Sequence, residues 1–164
     1  MELLPEIDAS EFYNLYDMLE CINIPPSKYE NRKGFGRSRS VTFGMRKARR
    51  GNEVGLSVFT ERYPEIWYEI QRISNFFPCK YTSVYVNKNV ECEWHYDKGN
   101  VGDSYIVSFG DYEGCNLAVE GIGEVDTNCR PVRFDGKVML HRTLPLISGT
   151  KYSLVFYCHE CCYH

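Results

Sequence analysis

Histidine is scarce in this chain: there are four among 164 residues, at positions 95, 141, 159 and 164. Long apolar runs are missing altogether. No stretch reaches about 18 consecutive apolar residues, so a membrane-spanning helix is not expected. The opening MELLPEIDASEF is acidic and has no basic start leading into an apolar stretch, so it does not read as a secretory signal. Internal repeats and low-complexity tracts are also lacking, which argues against a solenoid or a linker-rich chain. Without a secretory signal, the eight cysteines read as buried thiols of a reducing compartment rather than a disulfide framework. The expected setting is intracellular and soluble, in cytoplasm or nucleus.

What is present fits one globular domain spanning 1–164, long enough to bury its own core. Residues 1–80 read as a helical and basic part, and 81–158 as a β-rich core. A helix is expected over 9–21, with Ser10 as its cap and Phe12, Leu15, Tyr16 and Leu19 at helical spacing. A second is expected over 61–77, with Thr60 as cap, Pro64 in the first turn and Ile66, Trp67, Ile70, Ile73 and Phe77 on one face. From Tyr81 the pattern changes to short strands: 81–87, 92–96, 104–109, 115–120, 131–134, 137–142 and 151–158. Turns are expected at 98–100, 111–114, 121–123, 135–136 and Ser148-Gly149. Many short strands with close turns fit a jelly roll, giving a mainly β fold with buttressing helices.

The candidate chemistry lies in His95-Tyr96-Asp97 and, further on, His141. Residues i and i+2 of a strand point to one side, so His95 and Asp97 can share one ion while Tyr96 faces away. His141, from a neighbouring strand, completes a set of two histidines and one carboxylate. Such a set suits mononuclear Fe(II) and leaves coordination positions open for a co-substrate and O2. Lys151 follows His141 by ten residues, at the head of an apolar strand. A lysine buried there needs an anion or it neutralises. The far carboxylate of 2-oxoglutarate, whose other end chelates iron, is the natural partner.

With these residues in place, the stretches YTSVYVNKNVECEWHYDKGNVGDSYIVSFGDYEGCNLAVEG and RPVRFDGKVMLHRTLPLISGTKYSLVFY resemble the catalytic core of Fe(II)/2-oxoglutarate-dependent dioxygenases over about residues 81–157. The resemblance implies a double-stranded β-helix, an oxygenase activity, and Fe(II), 2-oxoglutarate and O2, with ascorbate as reductant. It implies iron on His95, Asp97 and His141 and the 2-oxoglutarate carboxylate on Lys151, with Thr143 and Ser153 lining that pocket. Asn87 resembles the asparagine that touches 2-oxoglutarate in AlkB-like members, and Tyr85 shares its strand face. The run from Asn100 to Gly114 is most similar to nucleic-acid-modifying members of the TET/J-binding-protein and AlkB-like groups. Two positions depart from those groups: lysine at 151, more typical of prolyl hydroxylases than their arginine, and Gly114-Cys115 where Gly-Gly is frequent.

Residues 28–50 are short of acids. Nine lysines and arginines stand there against Glu30 alone, a charge of +8 that leaves −11 on the rest of the chain. One reading is a solvated hairpin. The other is a lid in which Arg37, Arg39, Arg46 and Arg49 contact the phosphates of a nucleic acid. Arg142, next to a ligand, is a further candidate substrate contact, while Trp94 and Tyr96 read as core. The terminal CHECCYH (158–164) suggests zinc by composition, but no upstream Cys pair accompanies it. The expected function is oxidation of a nucleobase in DNA or RNA. Its alternatives are a prolyl or lysyl side-chain hydroxylase of the same superfamily and an inactive jelly-roll binding module.

Overall fold

The structure, a computed structural model, describes residues 1–27, 38–47, 53–160 and 162. A 3-10 turn at Ala9–Phe12 leads into helix α1 (Tyr13–Glu20). The cap of the 3-10 turn is Asp8 rather than Ser10: the Asp8 carboxylate accepts the Ser10 amide at 2.9 Å and the Ser10 hydroxyl at 2.7 Å. The second expected helix is two, α2 (Val58–Arg62) and α3 (Pro64–Ser74). The break falls on Tyr63, at φ −123 and ψ 65, because the residue before a proline is pushed out of the helical region. Ser57, not Thr60, caps α2, its hydroxyl accepting the Thr60 amide at 3.2 Å.

The strands are β1 (Glu2–Leu3), β2 (Arg39–Lys47), β3 (Val54–Leu56), β4 (Ser83–Lys88), β5 (Cys92–His95), β6 (Ser104–Gly114), β7 (Leu117–Val119), β8 (Gly123–Val125), β9 (Val132–Phe134), β10 (His141–Thr143) and β11 (Leu146–Tyr157). Among the described residues they form a large sheet ordered β1-β9-β6-β11-β4-β2-β3 and a small one ordered β5-β10-β7-β8. Every pairing between these strands is antiparallel. This is the expected jelly roll, a double-stranded β-helix.

Two expected turns are strand instead. Residues 111–114 and Ser148-Gly149 lie within β6 and β11, which pair from Leu146–Gly114 through Phe156–Tyr105. Glycine here lets two strands approach rather than reverse. Gly110 (φ 115) and Gly149 (φ 87) each hold a left-handed backbone, and a Cβ on either would collide with the facing strand's carbonyl oxygen. The chain crosses from the small sheet to the large one at Leu144-Pro145, and the expected strand 137–142 is reduced to its end, after a turn that starts at 136.

Alternation along the strands divides two cores. Tyr105, Val107 and Phe109 of β6 and Tyr152, Leu154 and Phe156 of β11 face the helices, where they meet Phe12, Leu15, Leu19, Ile66, Ile70 and Ile73. Phe12 stacks on Phe109 at 4.9 Å. The Tyr152 hydroxyl, donating to Glu20 Oε2 at 2.5 Å, and Lys88, at 2.8 Å from the same oxygen, tie α1 to the sheet. The opposite faces of these strands look into the jelly roll. There Ile106 and Val155 meet Leu117, Val119, Val125, Val132 and Phe134. The small sheet's outer face carries no helix among the described residues. Trp94 and Tyr96, expected in the core, are therefore 46% and 48% exposed.

Candidate metal centre

β5 and β10 pair with His95 opposite His141. Asp97 lies just past the end of β5, held by its amide donating to the Gly136 carbonyl at 2.8 Å. The three side chains converge: His95 Nε2 is 3.2 Å from Asp97 Oδ1, and His141 Nε2 is 3.3 Å from Asp97 Oδ2. One ligand atom from each lies within 4.8 Å of the others, the single such cluster among the described residues.

The imidazoles are oriented by the backbone. His95 Nδ1 lies 2.8 Å from the Glu93 carbonyl, and His141 Nδ1 lies 2.8 Å from the Met139 carbonyl. A carbonyl only accepts, so each Nδ1 carries the proton and donates it. Each Nε2 is then left to offer a lone pair inward, the tautomer a metal requires. Phe134 packs edge-on against His141 at 4.9 Å. Gly136 has no side chain, and a Cβ there would collide with Asp97 Oδ2. Reading Asp135-Gly136 only as a turn missed this role; a glycine shortly before the second histidine was its one visible sign.

The hydrogen bond with Asp97, then that with Cys92, raises His95 to about 10. Burial pushes Asp97 up, but the hydrogen bonds from His141 and His95 outweigh it and hold the carboxyl below its ordinary value. Two tautomer-fixed imidazoles and one carboxylate, converging in a cradle that a methyl would fill, fit a divalent transition metal.

Lys151 is buried, at 4% exposure, on the inner face of β11. Its Nζ donates to the Cys115 carbonyl at 2.6 Å and lies 5.6 Å from the centre of the Tyr112 ring. Its own amide donates to Asn89 Oδ1 at 2.8 Å. Burial pushes the amine below its ordinary value. The sequence marked Cys115 only as a departure from Gly-Gly and did not single out Tyr112 or Asn89; a contact through a main-chain carbonyl, as at Cys115, leaves no residue-type signature. Ser153 shares the inner face with Lys151 and sits opposite Asn87 on β4 and Ser108 on β6. Asn87 Oδ1 accepts the Ser40 hydroxyl at 2.7 Å. Tyr85, opposite Val155, is 39% exposed and stacks on Tyr157 at 5.1 Å. Thr143 stands on β10 two residues from His141 and bonds to Cys92.

Of the basic candidates, Arg39 and Arg46 lie on β2, opposite Lys88 and Gly55, while Arg37 and Arg49 fall outside the described residues. Arg142 rests against Trp94 and Glu93. Cys161 and His164 of the suggested zinc set also fall outside the described residues. Among the described residues no helix is long and apolar enough to cross a membrane.

No protein-family model and no curated protein matches the chain. Solved structures do. NgTET1 in complex with 5mC DNA is similar with a TM-score of 0.69 and 15% identity, over 98% of this chain and 72% of that one. A 2OG-Fe(II) oxygenase family oxidoreductase from Burkholderia pseudomallei gives 0.64 and 14%, over 94% and 83%. A prolyl-4-hydroxylase from Pseudomonas putida gives 0.59 and 10%, over 96% and 91%. The chain thus has the fold of the 2-oxoglutarate/Fe(II) oxygenases. Within that fold it carries a His-Asp-His cluster.

Proposed function

We propose that this chain is an Fe(II)- and 2-oxoglutarate-dependent dioxygenase, with His95, Asp97 and His141 as metal ligands and Lys151 as the anchor of the far carboxylate. The convergence of two backbone-oriented imidazoles with Asp97 carries the reading. When bound, iron, 2-oxoglutarate and O2 supply the oxidation of a C–H bond, with succinate and CO2 as co-products. The chain's residues position and desolvate. Lys151, deprived of water, holds its charge well only opposite an anion, which selects a dicarboxylate. Ser153 and Asn87 add polar groups on the same face, and the buried Leu117, Val119 and Phe134 give the wall beside His141 an apolar lining.

Lys151→Met tests the anchor. Loss of a buried charged partner typically costs ~3–5 kcal/mol, so 2-oxoglutarate affinity should collapse while the metal still binds. Unaltered 2-oxoglutarate dependence of succinate release in Lys151→Met would overturn that role. His95→Ala and His141→Ala should each remove most turnover.

For the substrate, the reading is a nucleobase. It is supported by the +8 segment 28–50, by the fold likeness to NgTET1, and by the half-exposed Tyr85 stacked on Tyr157 beside Asn87, a flat surface with hydrogen-bonding groups at its edge. Lys151 and the likeness to the prolyl-4-hydroxylase favour a protein side chain instead. Mass spectrometry of DNA, RNA and protein incubated with the iron-loaded chain, ascorbate and 2-oxoglutarate separates the two.

A further inference from the structure

Arg142 follows His141, and by strand alternation its side chain leaves the small sheet on the face opposite the metal cluster. There β5 and β10 fall out of step: His141 pairs with His95, but Thr143 pairs with Cys92. One residue of β10, Arg142, therefore faces two of β5, Glu93 and Trp94, which is a β-bulge. Arg142 touches both. Its Nη2 lies 3.8 Å from Glu93 Oε1, and its guanidinium carbon lies 6.0 Å from the centre of the Trp94 ring.

The bulge governs how a metal ligand is held. The carbonyl of bulge residue Glu93 accepts the His95 Nδ1 proton, and Cys92 Sγ lies 3.8 Å from the same nitrogen. Cys92 and His95 are three apart, so on a regular strand they would point to opposite faces. The extra residue brings them to one side.

Stability does not account for an arginine here. Its Nε is buried with no hydrogen-bond partner among the described residues, and a buried donor left unsatisfied is costly. The ion pair with the exposed Glu93 contributes little in return. Methionine would fill similar volume without that cost. What only the guanidinium supplies is a planar cation within cation–π reach of the Trp94 ring.

Resting on the metal reading above, we propose that Arg142 is a positioning residue for the metal centre. From the back of the small sheet it wedges the Glu93-Trp94 bulge, and so keeps the His95 Nδ1–H on the Glu93 carbonyl and Nε2 aimed at the ion.

Co(II) titration followed by ligand-field absorbance tests this on the wild type, His95→Ala, Arg142→Ala and Arg142→Met, with circular dichroism confirming the fold. Both Arg142 variants should bind Co(II) about 10–100-fold more weakly, as loss of outer support to a ligand does, with an altered band pattern. Arg142→Met should melt no lower than the wild type. If Arg142→Ala does not fold, Arg142→Met decides. Wild-type Co(II) affinity and band pattern in Arg142→Met would sink the proposal with the metal reading intact. Equal Co(II) binding by wild type and His95→Ala would sink the metal reading itself, and this inference with it.

Discussion

At the scale of single residues, Gly136 is as demanding as the ligands. In Gly136→Ala the new methyl meets the mobile end of the Asp97 side chain rather than backbone, so the carboxylate can turn aside and the fold should survive. Metal affinity should fall about tenfold or more, with little change in melting temperature; chelator competition reads the first and calorimetry the second. Protons and metal compete for the same atoms. His95 is raised to about 10, so its contribution to the metal-free fold is complete below its ordinary value of 6.5 and is lost as pH rises through about 10. Asp97 is lowered, so its contribution is complete above 3.8 and is lost as pH falls below that. Since metal must displace the His95 proton, Co(II) affinity should climb with pH until about 10. A flat profile would contradict the cluster's electrostatics. The ligands themselves were legible because spacing of two and the scarcity of histidine are visible in one dimension. Gly136, Tyr112 and the Cys115 carbonyl were not, because their parts depend on what folds against them.

At the scale of elements, the apolar period foretold both helical regions, while the chain's local chemistry moved their ends. Pro64 was read as a first-turn residue, yet its steric effect on Tyr63 splits the helix there. β2 went unread because its arginines and lysines drew attention to charge, although Val41 and Phe43 alternate into the helix-side core. β6 and β11 were cut short because glycines inside a pair of close strands look like turns. Ile70, fully buried in α3, packs on the far side of the large sheet from the cluster. Ile70→Ala should cost ~2–5 kcal/mol in urea unfolding yet leave Co(II) affinity of the folded protein unchanged. A parallel loss of affinity would mean that the helix layer and the metal centre are coupled.

At the scale of the whole molecule, charge is divided: +8 on residues 28–50 and −11 elsewhere. If that segment meets nucleic acid, oligonucleotide binding should weaken steeply with salt. The log–log slope should fall by roughly one unit for each phosphate contact removed, read first in Arg39→Glu and Arg46→Glu. An absence of binding at physiological salt would favour the protein substrate and leave the iron chemistry standing. The layers are divided as well. The large sheet is backed by helices, whereas β5, β7, β8 and β10 are three or four residues long with none behind them among the described residues. Short, unbacked strands open more readily than the rest, and their amide hydrogens should trade with deuterium first. A divalent ion bound to His95 on β5 and His141 on β10 would stitch the two together. Loading it should therefore slow exchange in those strands, making the cofactor a clasp on the least protected part of the fold.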